Sequence, residues 1–559
     1  MKITRRIKIA FVLAICFTIM EITGYQIAMM YGTTVHTSAF FQKIGVLGPL
    51  QCVILLLVGV SVWTAIIWWI FGLLDKRTGK STEENCSGKY YQWKERIAKE
   101  LQKKKIWILM GISLFLIWCV SLYAVYPGYY NYDAQGQLGQ AMYPEVQYTT
   151  FHPMLHTFIM GKIITFGYRL SHENLMTGVF LFNIFQMSVC ASCFTGALNF
   201  VWKNTRSVGL TILGFCYYAF FPTITLFTMS TTKDVPCALA GIFVMIGFYK
   251  CYENPKSFFA SPGKVLGLTV ATVLMCMFRK NCIYAIVVLA VILILRKSEY
   301  RKKLLLLFFG IFLICYLFDS FLFVSLKAKK SGKAETLSVP AQQISRVYVE
   351  KGEDAFTDEE LELLRECFTL EDFQFYNPFI SDEIKNRLRA DAIWSDKRWE
   401  YFSLWLQVGI RYPEQYVKSF LDNTYQFWYP STSITQGEEE FAYFDFDGYH
   451  DAIDKIKNIP RLYRFYKKIS YKYSYQKIPV VRLLFSQGAM LWFLLFVFSY
   501  GVYRRDERVC VSIGMVLLYC ATVLWGPVML VRYFLILFFG FPISLAILLP
   551  AKRIQMESR

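Results

Sequence analysis

The chain has 559 residues, of which 55 % are hydrophobic, 18 % aromatic and only 18 % charged. This composition is too apolar for an ordinary water-soluble protein. Runs of about 20 apolar residues recur along the chain and indicate many transmembrane helices. The net charge of +19 lies largely in short loops between these runs. That distribution follows the positive-inside bias of membrane proteins, so nucleic acid is excluded as the expected partner.

The apolar runs predict about twelve membrane-spanning helices. Two loops are strongly basic, because residues 75–105 hold ten Lys or Arg and residues 296–303 hold five. Both loops should therefore be cytoplasmic. The two basic loops lie on the same side of the membrane only if a weaker apolar segment, 154–170, lies along the membrane interface and does not cross the membrane. The predicted spans are 8–30, 49–74, 106–126, 176–201, 208–228, 235–250, 264–278, 282–296, 304–326, 484–503, 508–530 and 533–550.

This topology gives an α-helical polytopic protein of the plasma membrane with both termini in the cytoplasm. Its long polar stretch, 327–480, is expected to be a mainly helical soluble domain on the outer side. Four regions follow: 1–105 with two transmembrane helices and a basic cytoplasmic loop, 106–326 as the transmembrane core with an external acidic loop 127–175, 327–480 as the external domain, and 481–559 as the C-terminal transmembrane helices.

Two features stand out in the external domain. Thr357 and Glu360 have the spacing of a capping box, which predicts the start of a helix at this point. The stretch ETLSVPAQQISR, residues 335–346, is polar enough to form an ordered loop near the site, and its sequence assigns it no role.

The segment YYNYDAQGQLGQA, residues 129–141, follows an apolar run and contains a single acid, Asp133. By the predicted topology Asp133 faces outward, where an isolated carboxylate is a candidate catalytic group. Alternatively, Asp133 caps the helix predicted for AQGQLGQA by accepting hydrogen bonds from its first N–H groups.

Four basic residues break the positive-inside bias, because the predicted topology puts them at the outer ends of spans. A single basic side chain in this position fits snorkelling to lipid headgroups. Four of them beside the Asp133 loop fit an anion site better, and a phosphate at headgroup depth is the expected anion. These residues are Lys233, Arg279, Lys280 and Arg532.

The other polar candidates have weaker patterns. Asp234, in STTKDVP, either belongs to the site or caps the span that follows it. His152 and His156 have the i, i+4 spacing of helical metal ligands, but no third ligand is close in sequence, so polar contacts are favoured over zinc. Asp445 and Asp447 of DFDG form a weak divalent-cation pattern. No metal site is predicted, and a dependence on Mg²⁺ or Mn²⁺ stays open.

Four motifs together carry a resemblance to a known family. With them the chain resembles the GT-C superfamily of integral-membrane glycosyltransferases, in particular the protein mannosyltransferases and aminoarabinose transferases. The resemblance covers about residues 106–300. It departs from the family in two places: Asp133 stands alone where paired acids are frequent, and HPP has become HPM. The motifs are YPGYYNYDAQGQ (126–137), FHPMLHTF (151–158), FFPTITLF (220–227) and STTKDVP (230–236).

The resemblance implies transfer of a sugar from a polyprenyl-phosphate donor to an acceptor on the outer face of the membrane. Asp133 would be the general base of an inverting reaction. The four outward cations would stabilise the departing phosphate, and tyrosines of the acidic loop could stack on the sugar. The implied substrate-binding residues are Tyr130, Tyr132, Gln135, His152, His156, Lys233, Asp234, Arg279, Lys280 and Arg532.

The acceptor expected from this comparison is a cell-envelope glycan, a glycolipid or a protein, in contact with membrane lipids. The alternative function is that of a polytopic transporter, or of a lipid-linked glycan flippase or polymerase. Transporters tend to show inverted repeats with broken spans in matching positions, and the sequence has no such symmetry. Richness in Ile, Lys, Phe and Tyr favours an AT-rich bacterial genome.

Overall fold

The computed structural model describes residues 2–31, 45–79, 89–296, 299–430, 443–471 and 478–551. Within these ranges the regular structure is helical, and β-pairing is limited to isolated bridges. The predicted all-helical class is therefore confirmed for the described part of the chain. Among the described residues, four short 3-10 helices occupy Lys333–Leu337, Glu353–Ala355, Leu370–Phe375 and Val531–Phe534.

The α-helices of the described residues follow one another closely. The first are α1 Lys2–Met30, α2 Pro49–Gly79, α3 Lys89–Glu100, α4 Lys104–Ala124, α5 Ala134–Met142, α6 Met154–Leu170, α7 Leu175–Thr205, α8 Val208–Phe220, α9 Pro222–Thr228 and α10 Asp234–Glu253. The middle ones are α11 Pro255–Phe259, α12 Pro262–Phe278, α13 Cys282–Leu295, α14 Arg301–Ser325, α15 Ser338–Lys351, α16 Asp358–Cys367, α17 Asp382–Lys385, α18 Ala390–Ser395, α19 Arg398–Arg411 and α20 Pro413–Trp428. The last are α21 Pro460–Tyr471, α22 Pro479–Phe485, α23 Gln487–Arg504, α24 Glu507–Val523, α25 Leu535–Phe539 and α26 Phe541–Leu548.

Six of the described helices are long and apolar enough to cross a membrane, namely α1, α2, α4, α7, α10 and α14. Two bent pairs raise the number to eight if each pair counts as one span: α8 with α9 bends by 54°, and Val531–Phe539 with α26 bends by 40°. A proline in the first turn of α9 and of α26 explains both breaks, because proline cannot continue the preceding ladder of hydrogen bonds. The number of twelve spans stays a prediction.

The basic loops meet at one end of the helical body. Arg504 pairs with Asp75 at 2.9 Å, and Arg296 pairs with Glu507 at 2.6 Å. From this end α10 rises over 20 residues, about 30 Å, to the end that holds the polar candidates. The orientation in a membrane stays a prediction. Three parts of the basic segments lie outside the described residues: 80–88, 297–298 and 552–559.

Helix α6 is the segment expected to lie at the interface, and it is not among the helices apolar and long enough to span. It packs tightly against α7, because a Cβ atom on Gly178 would lie only 2.4 Å from the carbonyl oxygen of Ile164. This close approach sets the packing of the second half of α6 against α7.

The region predicted to be external, hereafter the external region, forms its own hydrophobic core, separate from that of the long apolar helices. This core is built by α15–α20 and includes Leu337, Ile344, Leu364, Ile384 and Tyr401.

The predicted capping box is present at the start of α16. The Thr357 hydroxyl accepts a hydrogen bond from the Glu360 N–H, and the Glu360 carboxylate accepts one from the Thr357 N–H. The expected loop at 335–346 is wrong, since these residues complete a 3-10 helix and most of α15. Its inward residues Leu337, Ala341 and Ile344 are fully buried, so core packing explains the helix.

Residues 443–471 leave this external core and return to the membrane helices. The N–H of Ile456 donates to the carbonyl of Tyr126 at 2.9 Å, and Phe444 packs edge-on against Tyr129 at 4.7 Å. Residues 443–471 of the predicted external region therefore pack against the acidic loop and do not join the hydrophobic core formed by α15–α20.

The external region is attached to the membrane helices by polar contacts as well as by the chain. The Ser381 N–H donates to the carbonyl of Pro527 at 2.9 Å. Deeper in the structure, Arg346 pairs with Asp422 at 2.5 Å, and both side chains are only 5 % exposed. The hydroxyl of Tyr31, at the end of α1, donates to the same carboxylate at 2.8 Å.

Arg346→Met should destabilise this attachment by about 3–5 kcal/mol, because it leaves the buried Asp422 carboxylate without its cation. The double variant Arg346→Met/Asp422→Leu should recover a large part of that loss. Thermal unfolding combined with limited proteolysis of the external region measures both effects.

Glu350→Gln is the matched control, since Glu350 pairs with the same arginine but its side chain is 34 % exposed. It should cost no more than about 1 kcal/mol. Equal losses for Arg346→Met and Glu350→Gln would contradict a role for the buried pair.

Candidate functional site

Asp133 lies at the centre of a group of charged side chains. Its Oδ2 atom is 2.6 Å from the Lys233 ammonium and 3.2 Å from the Arg532 guanidinium. Although Asp133 is the residue that precedes α5, its carboxylate makes no hydrogen bond to the first turn of that helix. The helix-cap alternative is therefore wrong, and the carboxylate faces the cations instead.

Backbone pairing brings Asp133 to Lys233 across 100 residues of sequence. The N–H of Tyr129 donates to the carbonyl of Met229 at 2.9 Å, and the N–H of Thr231 donates back to the carbonyl of Tyr129 at 3.1 Å. Asn131 extends this pairing, because its N–H donates to the Thr231 hydroxyl and its side chain accepts from Ser230. The loops 129–133 and 229–233 are therefore hydrogen-bonded to each other, next to the C-terminal end of α4 and the N-terminal end of α10.

The DFDG turn holds the acidic loop in an unusual backbone conformation. Tyr132 has φ of +58°, a left-handed conformation that is uncommon for an aromatic residue. The Asp445 carboxylate accepts from the N–H of Tyr132 at 3.3 Å and from the N–H of Gly448 at 2.9 Å. Asp447 pairs with Lys467 at 2.9 Å. Asp445 therefore supports the loop that carries Asp133, whereas Asp447 connects the DFDG turn to α21.

Asp234 forms the second half of the charged group. Its carboxylate pairs with Arg279 at 2.8 Å, accepts from the Thr232 hydroxyl at 2.9 Å, and lies 3.9 Å from Arg532. The side chain is only 1 % exposed, and it caps no helix, since it belongs to the first turn of α10. Arg532 therefore stands between two carboxylates, with Lys233 and Arg279 on either side.

Aromatic rings enclose the two arginines. The Arg532 guanidinium lies 4.6 Å from the ring centre of Tyr132 and 4.8 Å from that of Tyr533, and Arg279 lies 4.3 Å from Tyr533. Cation–π contact in a shielded position stabilises each charge. With side chains only 10 % and 14 % exposed, these arginines do not extend toward lipid headgroups, so snorkelling does not describe them.

The charged group opens into a cavity of about 1150 Å³. Six of the residues singled out in the sequence line it: Asp133, His152, Lys233, Arg279, Lys280 and Arg532. Lys280 is exposed and donates to the carbonyl of Thr150 at 3.1 Å. Asp234 and Tyr132 lie behind this lining, against Arg279 and Arg532.

Three further predicted binding residues lie outside the lining, in addition to Asp234 and Tyr132. Tyr130 is buried against Tyr449. Gln135 is exposed to solvent. His156 is buried, with its Nδ1 atom 3.1 Å from the Gln137 side chain. Direct contact with a ligand in the cavity is therefore not supported for these residues in this conformation.

One arm of the cavity is apolar and follows the groove between α13 and α24. Its exposed members are Tyr284, 62 % exposed, and Val288, 44 % exposed. Trp525, 61 % exposed, marks its other edge. A hydrogen bond from Asn281 to Thr522 at 2.9 Å closes the top of this groove. The apolar arm therefore begins directly beneath the cations.

The surrounding charges control the protonation of the acid and the nearest histidine. Burial would raise the pKa of Asp133, but Arg532 and Lys233 outweigh it and hold the pKa well below its usual value. Burial, assisted by Lys233, lowers the pKa of His152 to about 4. At neutral pH His152 is thus uncharged, and its Nδ1 atom accepts from the Lys233 ammonium at 3.3 Å.

The described residues contain no group of three or more His, Cys, Asp or Glu side chains placed to hold a metal ion. His152 and His156 diverge, because the first faces Lys233 and the second faces Gln137.

Comparison with protein families places most of the chain in a single group. The model of a family of unknown function, DUF6020, matches residues 142–558. The chain belongs to the DUF6020 family. The match includes His152, Lys233, Arg279 and Arg532 and begins after Asp133. No curated protein and no solved structure matches this DUF6020 protein, so the resemblance to GT-C enzymes stays a prediction.

Sequence reasoning did not identify several residues that shape the site in the DUF6020 protein. Tyr533 follows Arg532 and contacts both arginines. Asp445 positions Tyr132 from 313 residues away. Phe151, half exposed, lines the cavity next to His152. Phe151 belongs to the FHPMLHTF motif, and Asp445 belongs to DFDG, whose pattern suggested cation binding and not support of Tyr132.

His152 should make stability depend on pH in the mildly acidic range. Its pKa in the folded protein is about 4, below the value of about 6.5 in an unfolded chain. The contribution is complete above pH 6.5 and is lost as the pH falls toward 4, by up to about 1.4 kcal/mol per pH unit. His152→Gln should therefore reduce the slope of unfolding free energy against pH in this window.

Chemical unfolding in detergent between pH 4.5 and 7.5 measures this slope. His450→Gln, which replaces a histidine whose side chain is 64 % exposed, controls for the loss of an imidazole as such. An unchanged slope for His152→Gln would contradict the proposed protonation state.

Proposed function

We propose that the protein is a membrane glycosyltransferase that moves a sugar from a polyprenyl-phosphate donor to an acceptor hydroxyl at the outer face of the membrane. The observation that carries this proposal is the placement of Asp133: one carboxylate, held by two cations, in a large cavity that joins a charged end to an apolar groove. Each part of the cavity matches one part of the reaction.

The cations suit the phosphate of the donor. Asp133 and Asp234 supply two negative charges, while Lys233, Arg279, Lys280 and Arg532 supply four positive ones within the same group. The excess of positive charge favours an anion. It also favours the departing phosphate, whose negative charge grows as its bond to the sugar breaks.

The apolar arm suits the polyprenyl chain. Val288 lies six residues along α13 from its first residue, Cys282, which corresponds to a depth of about 9 Å. Exposed side chains at this depth provide a surface for a hydrocarbon chain, while the cations at the top of the groove hold the headgroup. A free sugar nucleotide would make no use of this arm.

The chemistry needs one base and one stabilised leaving group. The acceptor oxygen attacks the anomeric carbon and forms the new glycosidic bond. The bond from that carbon to the donor phosphate oxygen breaks, and its electron pair leaves with polyprenyl phosphate. The proton of the acceptor hydroxyl passes to Asp133.

The low pKa of Asp133 links donor binding to activity. A carboxylate paired with both Lys233 and Arg532 is a weak base, because protonation would break both interactions. A donor phosphate competes for the same two cations. As these contacts are shared with the phosphate, the pKa of Asp133 should rise, so the base gains strength only when a donor is present.

Because the second carboxylate, Asp234, is buried and paired, the site favours inversion at the anomeric carbon. Retention by double displacement requires a nucleophile beside the general acid or base. Asp234 is 1 % exposed and already occupied by Arg279 and Thr232, so it is not available to attack. A single displacement assisted by Asp133 remains.

Asp133→Asn should lower sugar transfer by about 10²- to 10⁴-fold, the usual contribution of a general base. The measurement uses proteoliposomes that contain mixed polyprenyl-phosphate sugars and follows the release of free polyprenyl phosphate. Glu145→Gln, which replaces an exposed acid of the same external loop, is the matched control and should be fully active.

Equal turnover by Asp133→Asn and the wild type would remove Asp133 from the mechanism. Asp234 would then be the next candidate for the general base. If no donor is turned over by the wild type, and labelled lipid-linked sugar instead crosses the bilayer, the flippase alternative holds.

Val288→Trp should block the apolar arm and raise the KM for a long-chain donor about tenfold. The same variant should bind a short-chain, water-soluble analogue normally, because that analogue does not reach Val288. Val291→Trp places the same side chain at another exposed position of α13, 50 % exposed and outside the cavity lining. A similar change of KM for both donors would contradict the assignment of the arm.

A further inference from the structure

One wall of the cavity is mainly polar and is supplied by the external region. It is formed by the 3-10 helix Lys333–Leu337, by α17 and by the residue that follows α17. The first of these contains the beginning of the ETLSVPAQQISR stretch, to which the sequence assigned no role. The polar side chains in this wall are Thr336, Glu335, Asp382, Glu383, Lys385 and Asn386.

A buried lysine sets the orientation of two acids in this wall. The Lys385 ammonium is 2.6 Å from Glu335 Oε1 and 2.5 Å from Asp382 Oδ1, and its side chain is only 4 % exposed. A buried ammonium paired on two sides holds both carboxylates in one geometry. Glu335 and Asp382 are themselves 39 % and 37 % exposed, so their second oxygens remain accessible from the cavity.

Phe151 lies between this wall and the catalytic centre. Its ring packs edge-on against His152 at 4.6 Å on one side. On the other side it faces Gly332, where an added Cβ would lie 3.4 Å from the ring. The side chain is 49 % exposed and lines the cavity. An aromatic face is therefore presented at the junction of the two regions.

The junction is held by backbone hydrogen bonds. The N–H of Lys329 donates to the carbonyl of Tyr148 at 2.8 Å, and the N–H of Thr150 donates to the carbonyl of Lys329 at 3.0 Å. The Thr150 hydroxyl accepts from the N–H of Ser331 at 2.9 Å. The polar wall therefore keeps a defined position relative to His152 and Asp133.

We propose that this wall is the acceptor subsite and that the acceptor is a carbohydrate. The inference rests on the proposed glycosyl transfer, whose acceptor it specifies. Carboxylates with one free oxygen each accept hydrogen bonds from hydroxyl groups, and such charge-assisted bonds are stronger than neutral ones. A sugar ring also presents a face of C–H groups, which packs on an aromatic ring such as Phe151.

A peptide acceptor fits this wall less well. Extended peptides are commonly recognised by backbone pairing along the edge of a sheet. The regular structure along the polar wall is helical, with its own backbone groups already hydrogen-bonded. Side-chain acceptors in fixed positions, with an aromatic face beside them, are what a polyhydroxylated ligand requires.

The test measures acceptor binding without any donor. Purified protein in lipid nanodiscs is applied to an array of oligosaccharides and Ser/Thr-rich peptides. Wild type should bind at least one oligosaccharide. The double variant Glu335→Gln/Asp382→Asn should bind the same oligosaccharide with a Kd raised about tenfold or more. Phe151→Leu should weaken the same binding, and it leaves both partners of Lys385 in place. This variant therefore tests the subsite even if the double variant folds poorly.

The matched control is Asp391→Asn/Glu414→Gln. It also removes one Asp and one Glu of the external region that pair with lysines, Lys333 and Lys418, and neither acid lines the cavity. The control should bind as the wild type does. Binding confined to peptides, or unchanged binding by both wall variants, would overturn the carbohydrate assignment.

This outcome is separable from that of the proposed function. Oligosaccharide binding that depends on Glu335 and Asp382, without release of polyprenyl phosphate from any donor, would contradict glycosyl transfer but not the subsite. Release of polyprenyl phosphate without any oligosaccharide binding would contradict the subsite alone.

Discussion

The carboxylate of Asp133, shared between Lys233 and Arg532, is the interaction around which the rest of the site is arranged. A lone acid among apolar helices would be costly to ionise. Its two cations would be equally costly without it, because Arg532 lies in a nearly closed position between aromatic rings. The group is stable only as a set, so the loops that carry its members must be held together. This requirement explains the backbone pairing between residues 129–131 and 229–231.

The same requirement accounts for the return of residues 443–471 to the membrane helices. Tyr132 must adopt a left-handed conformation to turn the chain into Asp133, and that strain persists only where surrounding contacts compensate for it. Asp445 provides those contacts through its carboxylate. A turn that lies outside the charged group is thus as necessary to its geometry as the charged residues themselves.

Sequence reasoning identified the charged residues because charge at the ends of apolar helices is rare and easy to recognise. Asp133, Lys233, Arg279 and Arg532 do converge, as expected of the outer ends of neighbouring helices. Contacts between segments far apart in sequence could not be predicted. Nothing in DFDG indicates that the carboxylate of its first acid, Asp445, accepts a hydrogen bond from the N–H of Tyr132. The helix at 335–346 was missed for a related reason: its few apolar residues are buried by a core that forms only when α15–α20 assemble.

The external region is joined to the rest of the chain at three separate places: Lys329 with Tyr148, Ser381 with Pro527, and Arg346 and Asp422 with Tyr31. These contacts hold the region at three points instead of one. In the proposed glycosyl transfer, a lipid-borne donor would enter sideways, within the plane of the bilayer, and a water-soluble acceptor would enter along the wall supplied by the external region. The two products would leave by these separate routes, so departure of the spent lipid carrier would not wait for departure of the glycosylated product.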